Sequence, residues 1–127
     1  MCIRDRGADA AAEFVGLTCD YPGEREILPV RDIVEIRGWA IARSGIDHVL
    51  VQIGDEAPVA ATYGIPRSDV ARSHPAFLDA GQSGYRFFWD TAGLPEGICM
   101  VRVTAVAGNG KTREVDVYKR QGRGFRH

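Results

Sequence analysis

The sequence predicts an all-β chain, an antiparallel sandwich of about seven strands with one short helix near residues 67–74. Three observations predict it. Nearly every run between Phe14 and Val115 alternates apolar and polar residues with the period of two expected of a strand that buries one face. Turn signals separate these runs at the spacing of sandwich connections, among them Asp20-Tyr21-Pro22-Gly23, Ser44-Gly45, Gly54-Asp55 and Asn109-Gly110. Length is the third: 127 residues, 45% of them hydrophobic, suffice for one modest core and are too few for two ordinary domains.

The first candidate strand is Phe14 to Cys19. The second, Ile33 to Ala42, sets Val34, Ile36, Gly38 and Ala40 on one face and Glu35 and Arg37 on the other, with Gly38 read as the site of a bulge that re-aims Trp39. The third, His48 to Ile53, turns Val49, Val51 and Ile53 inward. The fourth, Val59 to Tyr63, alternates Val59, Ala61 and Tyr63 against Ala60 and Thr62. A helix of one to two turns follows within Pro66 to His74, with Ser68 as its cap, Asp69 in the first turn, and Pro75 biasing His74 away from helical geometry. The fifth strand, Tyr85 to Asp90, places Tyr85, Phe87 and Trp89 on one face. After the turn Thr91 to Gly97 comes the sixth, Ile98 to Ala107, with Cys99, Val101, Val103 and Ala105 inward. Asn109-Gly110 is the strongest hairpin signal, leading into a last strand from Lys111. Seven such strands make an immunoglobulin-like sandwich.

The two ends are expected to lie outside this domain. Met1 to Arg6 and Asp116 to Gln121, written back into codons, are one DNA word read in two frames, and that word matches the transposase end used in sequencing libraries. Residues 1–6 and 116–121 are therefore read as adaptor artefacts. Residues 7–13 are read as a linker or frayed end, 14–115 as the sandwich, and 122–127 as an unrelated chimeric tail. The excluded ends hold six of the sixteen Lys and Arg and two of the seventeen Asp and Glu, so the remainder carries a charge of −5 rather than −1.

A clustered basic footprint for nucleic acid is absent from that remainder. No apolar run approaches the length a membrane helix needs, so no membrane insertion is expected. Cys19 and Cys99 are the cysteines left once Cys2 is set aside. They read either as two buried thiols or as an inter-strand disulfide. Neither has a Cys or His neighbour at metal-ligand spacing, and no metal or other cofactor is expected.

The ordered set Gly38-Trp39-Ala40, Ser44-Gly45-Ile46 leading into His48-Val49-Leu50-Val51, Tyr63-Gly64-Ile65-Pro66-Arg67-Ser68-Asp69-Val70, and Ser83-Gly84-Tyr85-Arg86-Phe87 resembles a bacterial immunoglobulin-like accessory domain. The resemblance covers roughly Val15 to Val115. It implies a non-catalytic spacer or interaction module, here carried on a metagenomic fragment, whose partners are other domains of the same polypeptide. Such modules often stand beside glycosyltransferase or methyltransferase domains involved with surface glycans.

The residues themselves offer little catalytic chemistry. His48 and His74 lie in no metal-binding pattern, and Ser68 or Ser73 with His74 and Asp69 is weighed as a nucleophilic triad against the simpler helix-cap role of Ser68. The ligand-binding candidates are Tyr63, Arg67, Asp69, His74 and Tyr85. Arg67 could fork onto a carboxylate or sugar hydroxyls, with Tyr63 or Tyr85 as a stacking platform, in a carbohydrate-binding module. The competing structural reading has Arg67 and Asp69 tying the loop to the sheet while both tyrosines bury their rings. Phe88, on the face opposite Phe87 and Trp89, is expected to be partly exposed or to meet a neighbouring domain, with interdomain burial the preferred reading.

Overall fold

The computed structural model describes residues 2–6, 13–21, 33–90 and 98–120. Within them lie nine strands: β1 (Cys2–Arg6), β2 (Phe14–Tyr21), β3 (Ile33–Ala42), β4 (Ile46–Ile53), β5 (Val59–Ala60), β6 (Thr62–Ile65), β7 (Gly84–Asp90), β8 (Ile98–Ala107) and β9 (Thr112–Arg120). Helix α1 (Ser68–Ser73) and a 3-10 turn (Leu78–Gln82) separate β6 from β7. One sheet runs β2-β3-β7-β6 and the other β1-β9-β8-β4-β5, and every pairing is antiparallel. The first order is that of the A, B, E and D strands of an immunoglobulin sandwich. Apart from β1, the second is the order G, F, C and C′. The all-β sandwich is thus present.

Two differences raise the strand number from seven. The run Val59 to Tyr63 is two strands in different sheets, because β5 pairs with β4 while β6 pairs with β7. The chain crosses between sheets at Ala61, whose N–H donates to the Val49 carbonyl at 2.8 Å. That crossing takes Val59 out of the inward alternation and leaves it exposed. The other addition is β1, which pairs with β9 along Cys2–Arg6. The turn residues Pro22-Gly23, the connection Thr91 to Gly97 and the tail 122–127 lie outside the described residues, as does most of the segment 7–13.

Period-two alternation builds the core. Val34, Ile36 and Ala40 of β3 and Tyr85 and Trp89 of β7 meet Val49 and Val51 of β4, Val101 and Val103 of β8, and Val115 and Val117 of β9. A second, smaller cluster covers the outer face of β3, where Ile41 packs with Val70 of α1 and Ala80 of the 3-10 turn, flanked by Val15, Trp39 and Phe77. Strict alternation would send Ile41 toward solvent with Glu35 and Arg37. The α1 excursion is what buries it.

Where β3 pairs with β2 the bulges lie in β2, not at Gly38, and further register shifts occur in β4 between Ile46 and His48 and in β6 between Tyr63 and Ile65. Two residues of β2 stand against one of β3 between Phe14 and Gly16 and again between Cys19 and Tyr21. Trp39 faces outward by ordinary alternation. Gly38 is needed for close approach instead, since a Cβ there would sit 2.1 Å from the Thr18 carbonyl oxygen and 2.7 Å from the Tyr85 hydroxyl. Cys19 is buried in β2. The Cys99 side chain lies outside the described residues, and with it the choice between disulfide and separate thiols.

Candidate functional site

The irregular excursion between β6 and β7 brings two of the candidate residues, Arg67 and Asp69, together. Arg67 is the N-cap residue of α1, and its backbone N–H donates to the Gly81 carbonyl at 2.8 Å. Its stem lies over Gly84, where an added Cβ would come within 2.9 Å of Arg67 Cγ. The guanidinium then forks onto Asp69, Nε to Oδ1 at 3.0 Å and Nη2 to Oδ2 at 2.8 Å. Its Nη1 donates to Asp20 Oδ2 at 3.0 Å. Asp20 is the extra residue of the second β2 bulge, and its other oxygen takes the Thr18 hydroxyl at 3.2 Å. One Arg therefore staples the loop and helix to the far edge strand of the sheet.

The electrostatics follow from that geometry. The fork holds the Asp69 carboxyl down at about 2, helped by the Val70 N–H of the first helical turn, and the same contact raises the Arg67 guanidinium. Ser68 does not cap the helix. It is the first helical residue, and the side chain at the cap position, Arg67, makes no capping hydrogen bond to the helix N–H groups, so the acid of the first turn serves them instead.

The tyrosines point the other way. Tyr63 and Tyr85 are cross-strand partners of β6 and β7. Tyr63 is half-buried and donates its hydroxyl to the Ala40 carbonyl at 2.8 Å. Tyr85 is fully buried and donates to the Thr18 carbonyl. Its ring is closed to a sugar, and burial pushes its phenol well above the ordinary range.

His74 stands apart from Arg67 and Asp69, with its ring against Trp39 at a centroid distance of 5.2 Å. Its buried Nδ1 meets no hydrogen-bond partner among the described residues. A Ser-His-Asp relay would need that nitrogen on the carboxylate, and Asp69 is engaged by Arg67. Among the described residues no three His, Cys, Asp or Glu side chains converge as a metal site. Phe88 projects from the outer face of β7, 59% exposed, with the Arg86 guanidinium 5.5 Å from its ring centre and Ile33 of β3, 56% exposed, on the same face.

Two further ties were not foreseen from the sequence. The Glu13 carboxylate accepts the Ser44 N–H at 2.6 Å and the Asn109 side-chain amide at 2.8 Å, joining two turns at one end of the sandwich. Ser44 first, and then the other donors, lower its pKa. Arg102 of β8 pairs with the buried Asp116 of β9 at 2.9 Å, directly across the strands. Cross-strand opposition of unlike charges is the available signal for the second. The first joins residues 96 apart in sequence and leaves none.

Neither a family model nor a curated protein matches the chain. Among solved structures, the endo-beta-1,4-mannanase from Thermotoga petrophila is similar, with a TM-score of 0.57 and 17% identity over 88% of this chain. The chain spans about a fifth of that enzyme, 21% of its length. At this identity the likeness is one of fold.

Proposed function

We propose that the chain is a non-catalytic immunoglobulin-like accessory module of a larger bacterial polypeptide, set beside glycosyltransferase or methyltransferase domains that work on surface glycans. The observation that carries this reading is the use made of Arg67. The side chain best suited to seize a ligand carboxylate or sugar hydroxyl is forked onto Asp69 and tied to Asp20, and both neighbouring tyrosine hydroxyls are bound to backbone carbonyls. The Arg67 guanidinium and the two tyrosine hydroxyls thus serve the fold. Among the described residues the outer face around Phe88 and Arg86, with the exposed side chain of Ile33 beside it, offers an apolar patch edged by charge to a partner. The mannanase likeness supports the same idea, since there too a fold of this size accounts for a minor part of an enzyme's chain.

That likeness also favours a second reading, a carbohydrate-binding module working through the Tyr63–Asp69 loop. Calorimetric titration of the chain with mannan oligosaccharides and a broader glycan array separates the two. The accessory reading expects no saturable binding, and Arg67→Ala costs stability alone. Saturable saccharide binding that Arg67→Ala abolishes at unchanged melting temperature would establish the second reading.

A further inference from the structure

Asn109 and Gly110 occupy the exposed turn between β8 and β9, and Gly110 sits at φ +88°, a conformation that a side chain would strain. Asn followed by Gly is the pair in which the next backbone nitrogen most readily reaches the side-chain carbonyl, because glycine sets no Cβ in its way. In this fold all three participating groups are occupied. The Gly110 N–H donates to the Ala107 carbonyl at 2.9 Å, the Asn109 Nδ2 donates to Glu13 Oε1 at 2.8 Å, and Asn109 Oδ1 accepts the Lys111 N–H at 3.1 Å.

We propose that Asn109 is a deamidation site held off by the folded hairpin, and that its conversion releases the Glu13 clamp. The Gly110 nitrogen attacks Asn109 Cγ. A C–N bond forms, the Cγ–Nδ2 bond breaks, and the proton from Gly110 leaves with the departing amide as ammonia. Water then opens the succinimide to aspartate or isoaspartate, so the net change is hydrolysis of one amide. The product carboxylate has no N–H for Glu13 and sets a like charge where its donor stood. Because the other Glu13 oxygen holds the Ser44 N–H, the repulsion reaches the β3–β4 turn as well. The isoaspartyl product further adds a main-chain carbon to the four-residue connection between β8 and β9, whose length fixes their register.

Peptide-mapping mass spectrometry in mildly alkaline buffer tests this on the whole chain. The native protein should deamidate at Asn109 about tenfold or more slowly than the same chain in urea, since the reaction then waits on local opening. Glu13→Ala, shown to be folded by circular dichroism, should speed the reaction several-fold. Val51→Ala, which weakens the core far from the clamp, should not. Equal rates in native buffer and urea, or a folded Glu13→Ala protein that deamidates at the wild-type rate, would overturn the protection. For the release, Asn109→Asp should lower the melting temperature and Glu13→Gln should restore part of the loss. An Asn109→Asp protein that melts with the wild type would refute it.

Discussion

Arg67 and Asp69 are joined by two parallel hydrogen bonds across one residue of chain, and that fork fixes where the helical excursion sits on the sheet. Arg67→Ala should lower stability by about 1–2 kcal/mol, the range for charge-assisted bonds at a half-exposed site after solvent screening. Arg67→Lys should recover little of this, because an ammonium cannot fork. Chemical denaturation of the two variants beside the wild type measures both effects. A wild-type midpoint for Arg67→Ala would mean that the tie contributes nothing.

The same pair sets an acid limit. The folded pKa of Asp69 lies below its unfolded value, so the contribution is complete above the unfolded value near 3.8 and disappears as pH falls through about 2. Melting temperature should therefore fall across that window, and fall less steeply in Arg67→Ala. Identical acid profiles for the two proteins would show that the coupling is absent.

Tyr85 sets the alkaline limit, with the opposite sign. Burial raises its folded pKa above the unfolded value of about 10, so its contribution is complete below that pH and is lost as pH climbs beyond it. Absorbance titration should show one tyrosine ionising only as the chain unfolds. Tyr85→Phe should cost about 1–2 kcal/mol by stranding the Thr18 carbonyl. Gly38→Ala should cost more, and the double variant should recover only part of the loss, because the Thr18 oxygen still blocks the new Cβ.

Much of this frame is written locally. Alternation in Ile33–Ala42, Ile46–Ile53 and Ile98–Ala107 puts the right side chains inside, and the outward position of Phe88 follows from the same period. What the sequence conceals is pairing at a distance. Asp20 stands in a string that reads as a turn, and only the β2 bulge turns it toward Arg67, 47 residues away. Ile41 likewise looks like a solvent-side residue until α1 folds over it. The candidate site was legible as a cluster of residue types. Its use as a tie depended on partners that no local pattern supplies.

Phe88 separates folding from docking. With its side chain 59% exposed, Phe88→Ser should change the stability of the chain by no more than about 0.5 kcal/mol. Under the proposed accessory role, the same change in a longer polypeptide carrying this domain should loosen its contact with a neighbouring domain, visible as faster proteolysis between domains and a lower melting temperature. Unchanged behaviour in both settings would remove this face from the interdomain contact.

The last strand bears on the adaptor reading of residues 116–121. Val117 is in the core, and the Asp116 side chain, 3% exposed, lies against Arg102. Arg102→Ala would leave that carboxylate buried without its guanidinium, a loss of about 3 kcal/mol, whereas Arg102→Leu with Asp116→Leu should return most of it by replacing the charge pair with packing. Val117→Ala should cost about 2 kcal/mol in lost burial and cavity. A chain ended at Val115 removes both contacts together and exposes Arg102, so it should be less stable than either single variant. Urea midpoints for the four proteins decide the matter. If the shortened chain unfolds with the full-length one, then residues 116–120 lie along the sheet without supporting it, as the adaptor reading expects.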